Sequence, residues 1–156
     1  MTEFWSALQG TDIAVWINLS RWGYAAVATA HILSIGTLIG AILILDLRLV
    51  GIARWLDPAS LARLTVPVAG TALGCAILSG GFLFIGRAGE YAAFGTFRIK
   101  MVLIACAVAM TIFVHLRYGL RLQRADDRQR FRIGAASIML WFCVVVAGRL
   151  IAFIHG

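Results

Sequence analysis

Seven ionisable side chains stand in or beside the long apolar runs of this 156-residue chain: His31, His115 and Arg149 within them, and Asp46, Arg48, Lys100 and His155 at their borders. Such groups are expensive in hydrocarbon, so each is by default a candidate for function. An imidazole on an apolar helix can ligate haem iron, relay protons or hydrogen-bond to a neighbouring helix. Haem b suits the inventory. His31 and His115 offer nitrogens for the iron, Lys100, Arg149 or Arg48 offer cations for the propionates, and Gly36, Gly40 or Gly74 leaves room for a flat macrocycle. The same residues leave two other readings open: a non-catalytic accessory or structural subunit, and a small proton- or ion-handling protein built on His31, Arg149 and Asp46. Hydrolase and transferase signatures are missing, with no Gly-rich phosphate loop, no Ser/His/Asp set, no HExxH helix and no paired intramembrane carboxylates. Any activity is therefore expected to be redox.

The elements that must position these groups follow from composition. Apolar residues make up 62% of the chain and charged ones 13%, about half the charged share of a soluble domain, so the working parts must lie in a bilayer or at its faces. The net charge of +7 comes from basic residues spread over a hydrophobic chain, which follows the topology rule for membrane loops rather than a nucleic-acid surface. Membrane lipids are the expected partners, and nucleic acid is not.

Four runs are long enough to span: about 22–45, 64–86, 97–119 and 133–154. The fold class is all-α, an integral membrane four-helix up-down bundle forming one domain over 1–156. A short interfacial helix is expected over about 3–20, where Trp5, Trp16 and Trp22 flank an amphipathic stretch. The first link carries Asp57-Pro58-Ala59-Ser60, a turn followed by a helix start. The second holds Tyr91, Phe94 and Phe97, as an interfacial segment does. The first and third links carry nine Lys and Arg residues against five on the opposite side, which predicts periplasmic N- and C-termini for a multi-pass inner-membrane protein.

Packing cues are small residues. Gly36-Thr-Leu-Ile-Gly40 and Gly70-Thr-Ala-Leu-Gly74 let helix backbones approach closely, either between spans one and two or between two copies in a homodimer. Cys75, Cys106 and Cys143 are far apart in apolar runs and read as small packing residues. Pro67 is expected in the first turns of span two, where its missing N–H costs little.

Depth then groups the polar residues. With about 1.5 Å rise per residue, His31 and Arg149 fall in the outer half of the bundle, and Lys100 sits at the outer border of span three. These three are expected to converge on one outward-facing site for an anionic group such as a haem propionate, a quinone-like head or a lipid phosphate. Tyr24, His31 and Ser34 share one helix face and would wall it. His115 lies roughly 12 Å deeper than His31, which counts against one iron held by both; Met110 is nearer in depth. Asp46 and Arg48 point in different directions. Both are expected to anchor the helix end in headgroups, or else Asp46 to pair with a cation on another helix, such as Arg117 or Arg121, and hold the inner end shut.

Taken together, Trp22-Gly-Tyr24, Thr29-Ala-His31-Ile-Leu, Gly40 and Asp46-Leu-Arg-Leu-Val-Gly51, followed by Phe97-Arg-Ile-Lys100, His115, Trp141 and Gly148-Arg149-Leu-Ile-Ala152, resemble a family of small bacterial four-helix inner-membrane proteins. The resemblance covers about residues 20–154. Departures fall at Gly23 and Ala25, where a larger apolar residue and a proline are expected, and at Val50 in place of leucine. It implies topology and a bacterial inner-membrane location, and it carries no activity. More loosely, histidines on helices one and three look like the small haem b membrane cytochromes and the copper-resistance membrane domain, implying a membrane redox partner or a place in a larger complex.

Overall fold

A computed structural model of the chain describes residues 10–11, 15–16, 20–120 and 122–154. Most of the expected interfacial helix, together with Trp5, Arg121 and His155, lies outside the described residues. Residues 15–16 are helical, and the Trp16 indole reaches the start of the first span at Gly23.

The first span, α1 (Arg21–Leu49), starts at Ser20, whose hydroxyl accepts the Gly23 N–H at 3.0 Å. It runs four residues past the expected end because Asp46-Leu-Arg48 stays helical; the chain turns only at Gly51 (φ 98) and Ala53 (φ 54). α2 (Pro58–Gly86) begins at the Asp-Pro signal, six residues before the expected span, with the Asp57 carboxylate accepting the Ser60 N–H at 2.8 Å. Hydrogen bonds from the Ser60 hydroxyl and then its N–H hold the Asp57 carboxyl below the usual carboxylate range. Pro67 is consequently in the helix interior, not its first turns, and it leaves the Arg63 carbonyl without its helical donor.

A short helix, α3 (Ala88–Ala93), forms the second link, and α4 (Gly95–Tyr118) follows. The link is closed by aromatic contacts, with Phe84 stacked on Phe97 at 5.2 Å and Tyr91 at 5.8 Å from Phe97. The last span, α5 (Asp127–Ile154), starts at a reciprocal cap: Asp126 Oδ1 accepts the Gln129 N–H at 2.7 Å while Gln129 Oε1 accepts the Asp126 N–H at 3.0 Å. Arg128, Arg130 and Arg132 therefore belong to a helix, where a loop was expected. All four long helices are long and apolar enough to cross a membrane. The chain is a multi-pass helical membrane protein.

The seams are written at alternating spacings of three and four. α2 turns Ala62, Thr65, Ala69, Ala72, Ala76 and Ser79 inward, and α1 answers with His31, Ser34, Leu38, Ala41 and Leu45. Alanine, serine and threonine, not the glycines, make this contact. A Cβ added at Gly36, Gly40, Gly70 or Gly74 would meet nothing within 4 Å, so the expectation that these glycines pack α1 on α2 is corrected. Gly134 behaves differently, because its Cβ would lie 2.9 Å from the Asp46 carbonyl oxygen and 2.9 Å from Leu49 Cβ. That glycine lets the backbones of α1 and α5 cross closely. The cysteines are exposed on helix surfaces, not packed in the core, since the inward stripes are filled at other spacings.

Around the bundle, α1 packs on α2 and α5, and α5 packs on α4. Among the described residues no Cα of α2 lies within 8 Å of one in α4. The α3 link and the Phe84–Phe97 stack join the two helices at the end of the bundle that carries residues 21 and 154, called outer, and side chains of both share two apolar clusters.

Candidate functional site

The polar residues sort into two groups separated by an apolar layer of Leu38, Ala72, Ala107, Trp141 and Val144. In the outer group, His31 Nδ1 lies 3.0 Å from the Ser79 hydroxyl, which itself donates to the Cys75 carbonyl at 2.6 Å. A hydroxyl whose proton is already donated must accept, so this arrangement assigns the imidazole proton to Nδ1. The ring lies against Gly80, where a Cβ would stand 2.9 Å from Cε1. The Lys100 ammonium is near enough for its charge to act on His31, and it lies over Gly148, whose Cβ would be 3.6 Å from Nζ.

Arg149 does not join them. It is exposed on the bundle surface, because the inward stripe of α5 runs through Ser137, Trp141, Val144, Gly148 and Ile151 and Arg149 falls beside it. The expected triad is thus a pair, His31 with Lys100. Ser34 turns its hydroxyl back to the Ala30 carbonyl at 2.7 Å, and Tyr24 is exposed, so neither completes a polar wall there.

The inner group was not expected as a group. Asp46, Ser137 and His115 line one cavity of about 300 Å³ in which all four spans take part. Asp46 is 4% exposed and holds a hydrogen bond with the Ser137 side chain. Its other oxygen, Oδ2, is buried without a partner, and so is His115 Nδ1. The neighbouring Thr65 and Thr111 hydroxyls donate to their own helix carbonyls, Leu61 at 3.0 Å and Ala107 at 2.9 Å. The rest of the wall is apolar, with Leu38, Leu45, Leu73, Met110, Val114 and Trp141 among it. The cavity is an apolar chamber, and two of its lining residues, Asp46 and His115, each hold a buried polar atom without a partner.

Three expectations change here. Asp46 makes no ion pair among the described residues, and Arg117 is exposed with its guanidinium 5.8 Å over the Tyr118 ring. Arg48 donates to the Leu56 and Arg54 carbonyls, tying the first link to the end of α1, so it clamps the loop where a headgroup anchor was expected. Met110 belongs to the inner cavity and cannot complete a site at His31.

The donor set does not fit haem. His115 shares its cavity with Asp46, about 22 Å along α1 from His31, so one iron cannot take both imidazoles. His31 is held between Ser79 and Gly80, and no lysine or arginine lines the His115 cavity to meet propionates. Sequence reasoning missed Ser137 altogether. The usable signal was depth: Asp46 and His115 both stand near the inner ends of their helices. No family model, curated protein or solved structure matches the chain.

Proposed function

We propose that this chain is a bacterial inner-membrane protein that binds a small lipophilic molecule carrying a carbonyl or hydroxyl head, admitted from the bilayer between α2 and α4. One observation carries the reading: Asp46 and His115 line the same apolar cavity, and each holds a buried polar atom without a partner, Oδ2 and Nδ1. A buried unpaired polar group costs about 1–3 kcal/mol, and a guest with both hydrogen-bonding capacities offsets that cost at both atoms. The volume suits one ring-sized head. The apolar layer between the inner cavity and His31 favours a binding site entered from the side over a polar route through the bundle.

Trp141 lines the cavity and reports on it. A short-chain quinone titrated into the purified protein is expected to quench its fluorescence saturably, with the quench removed in Trp141→Phe. Asp46→Asn and His115→Leu should each weaken the affinity about tenfold. Equal affinity in all three proteins would sink the reading. Orientation is checked separately. With the termini periplasmic, a reporter fused after Arg124 is expected to be active if it works in the cytoplasm and silent if it works in the periplasm.

A second reading, a homodimer or accessory subunit assembled through glycine faces, is favoured by the open space over Gly36, Gly40, Gly70 and Gly74.

A further inference from the structure

At the inner end of the bundle a second cavity, of about 250 Å³, lies between the end of α1, the first link and the first turns of α5. Its charged lining is Arg48, Arg54 and Arg130 against one carboxylate, Asp127. The guanidinium groups are held in place by the chain itself. Arg48 donates to the Leu56 and Arg54 carbonyls, Arg54 Nε donates to the Gly51 carbonyl at 3.2 Å, and Arg130 donates to the Leu122 carbonyl at 3.3 Å. Arg130 also meets Asp127 at 3.5 Å, yet that carboxylate's side chain is fully exposed and offsets little of the charge. Arg130 Nε is buried with no partner.

Three arginines fixed around a cavity, with an excess of positive charge and an unmet N–H, form a receptor for a tetrahedral oxyanion, whose oxygens accept from several guanidinium groups at once. The surroundings point to the source of that anion. Ile52, Trp55 and Phe131 are 55%, 85% and 54% exposed on the same link and helix end, where acyl chains and the headgroup boundary would cover them.

We infer that Arg48, Arg54 and Arg130 form a binding site for the phosphate of an anionic phospholipid in the inner leaflet. The site is independent of the Asp46–His115 cavity. It shares no lining residue with it except Leu49.

The test uses the full chain, purified in detergent and stripped of lipid, with thermal stability followed as lipid is added. Phosphatidylglycerol is expected to raise the midpoint saturably, and phosphatidylcholine, which is zwitterionic, to do so at least tenfold more weakly. Arg54→Gln and Arg130→Gln should each lose about tenfold in apparent affinity for phosphatidylglycerol. Arg63→Gln, which removes an exposed cation on the same face that does not line the cavity, should lose none. Arg130 also bonds the Leu122 carbonyl, so if its variant fails to fold, Arg54→Gln on the exposed link decides alone. A matching loss in Arg63→Gln, or an unchanged response in Arg54→Gln, overturns the site. If glycerol phosphate alone reproduces the stabilisation at equal concentration, the phosphate chemistry stands and the lipid source is overturned.

Discussion

Alanine in place of Gly134 is expected to destabilise the bundle by about 1–3 kcal/mol, the usual cost of forcing a methyl group into a filled contact. The new Cβ would stand 2.9 Å from a backbone oxygen of α1, and backbone cannot rotate away as a side chain can. Alanine ordinarily favours a helix over glycine by about 0.5–1 kcal/mol, so the crossing must lose more than the helix gains. Gly74 supplies the contrast. Its Cβ would meet nothing within 4 Å, so Gly74→Ala should leave the monomer unchanged or slightly more stable. Thermal midpoints of the two variants in one detergent check the pair. Equal midpoints would mean that α1 and α5 do not cross at Gly134. Gly74→Leu, larger still, should leave the monomer folded, and a loss of cross-linked dimer in that variant would support assembly through the glycine faces.

Leucine in place of Asp46 should raise stability while abolishing ligand binding. The carboxylate has one oxygen satisfied by Ser137 and one orphaned in an apolar chamber, and removing a buried unsatisfied acceptor recovers about 1–3 kcal/mol. Ser137 is left with a helix carbonyl one turn back to bond, as Thr65 and Thr111 already do. The cavity has room for the leucine. A higher unfolding midpoint with no quench of Trp141 is the expected signature of a residue kept for function at the expense of stability. A lower midpoint would assign Asp46 a structural role and remove the main support for the binding reading.

The loop clamp at Arg48 and the chamber at Asp46 show how two residues read together in the sequence part company in space. Two positions apart on a helix, they face different ways, and that much followed from helical geometry. Which partners they met did not. Any ion pair of Asp46 was expected to be with an arginine because arginines crowd the third link, yet three of those arginines are on the helical start of α5, and the neighbour that reaches Asp46 is Ser137. Similarly, Arg149 was placed by a span boundary drawn at the last charge before the apolar run. The rotation of α5 decided the outcome: Gly148 turns toward Lys100, and Arg149, one residue on, faces out.

By itself the sequence determined the membrane class, the number of spans and the helix start at Asp57-Pro58. Each is a local consequence of apolar run length or capping chemistry, which need no knowledge of neighbours. Only the tertiary structure decided which faces meet. Small-residue spacing is shared by the glycine and the alanine–serine stripes of α2, and packing chose the latter for α1. Likewise, the separation of α2 from α4 and the joining of Asp46, Ser137 and His115 in one chamber depend on the rotation of each helix about its own axis. Lipid is as apolar as the core, so hydrophobicity alone cannot fix that rotation; close packing and the few polar contacts do.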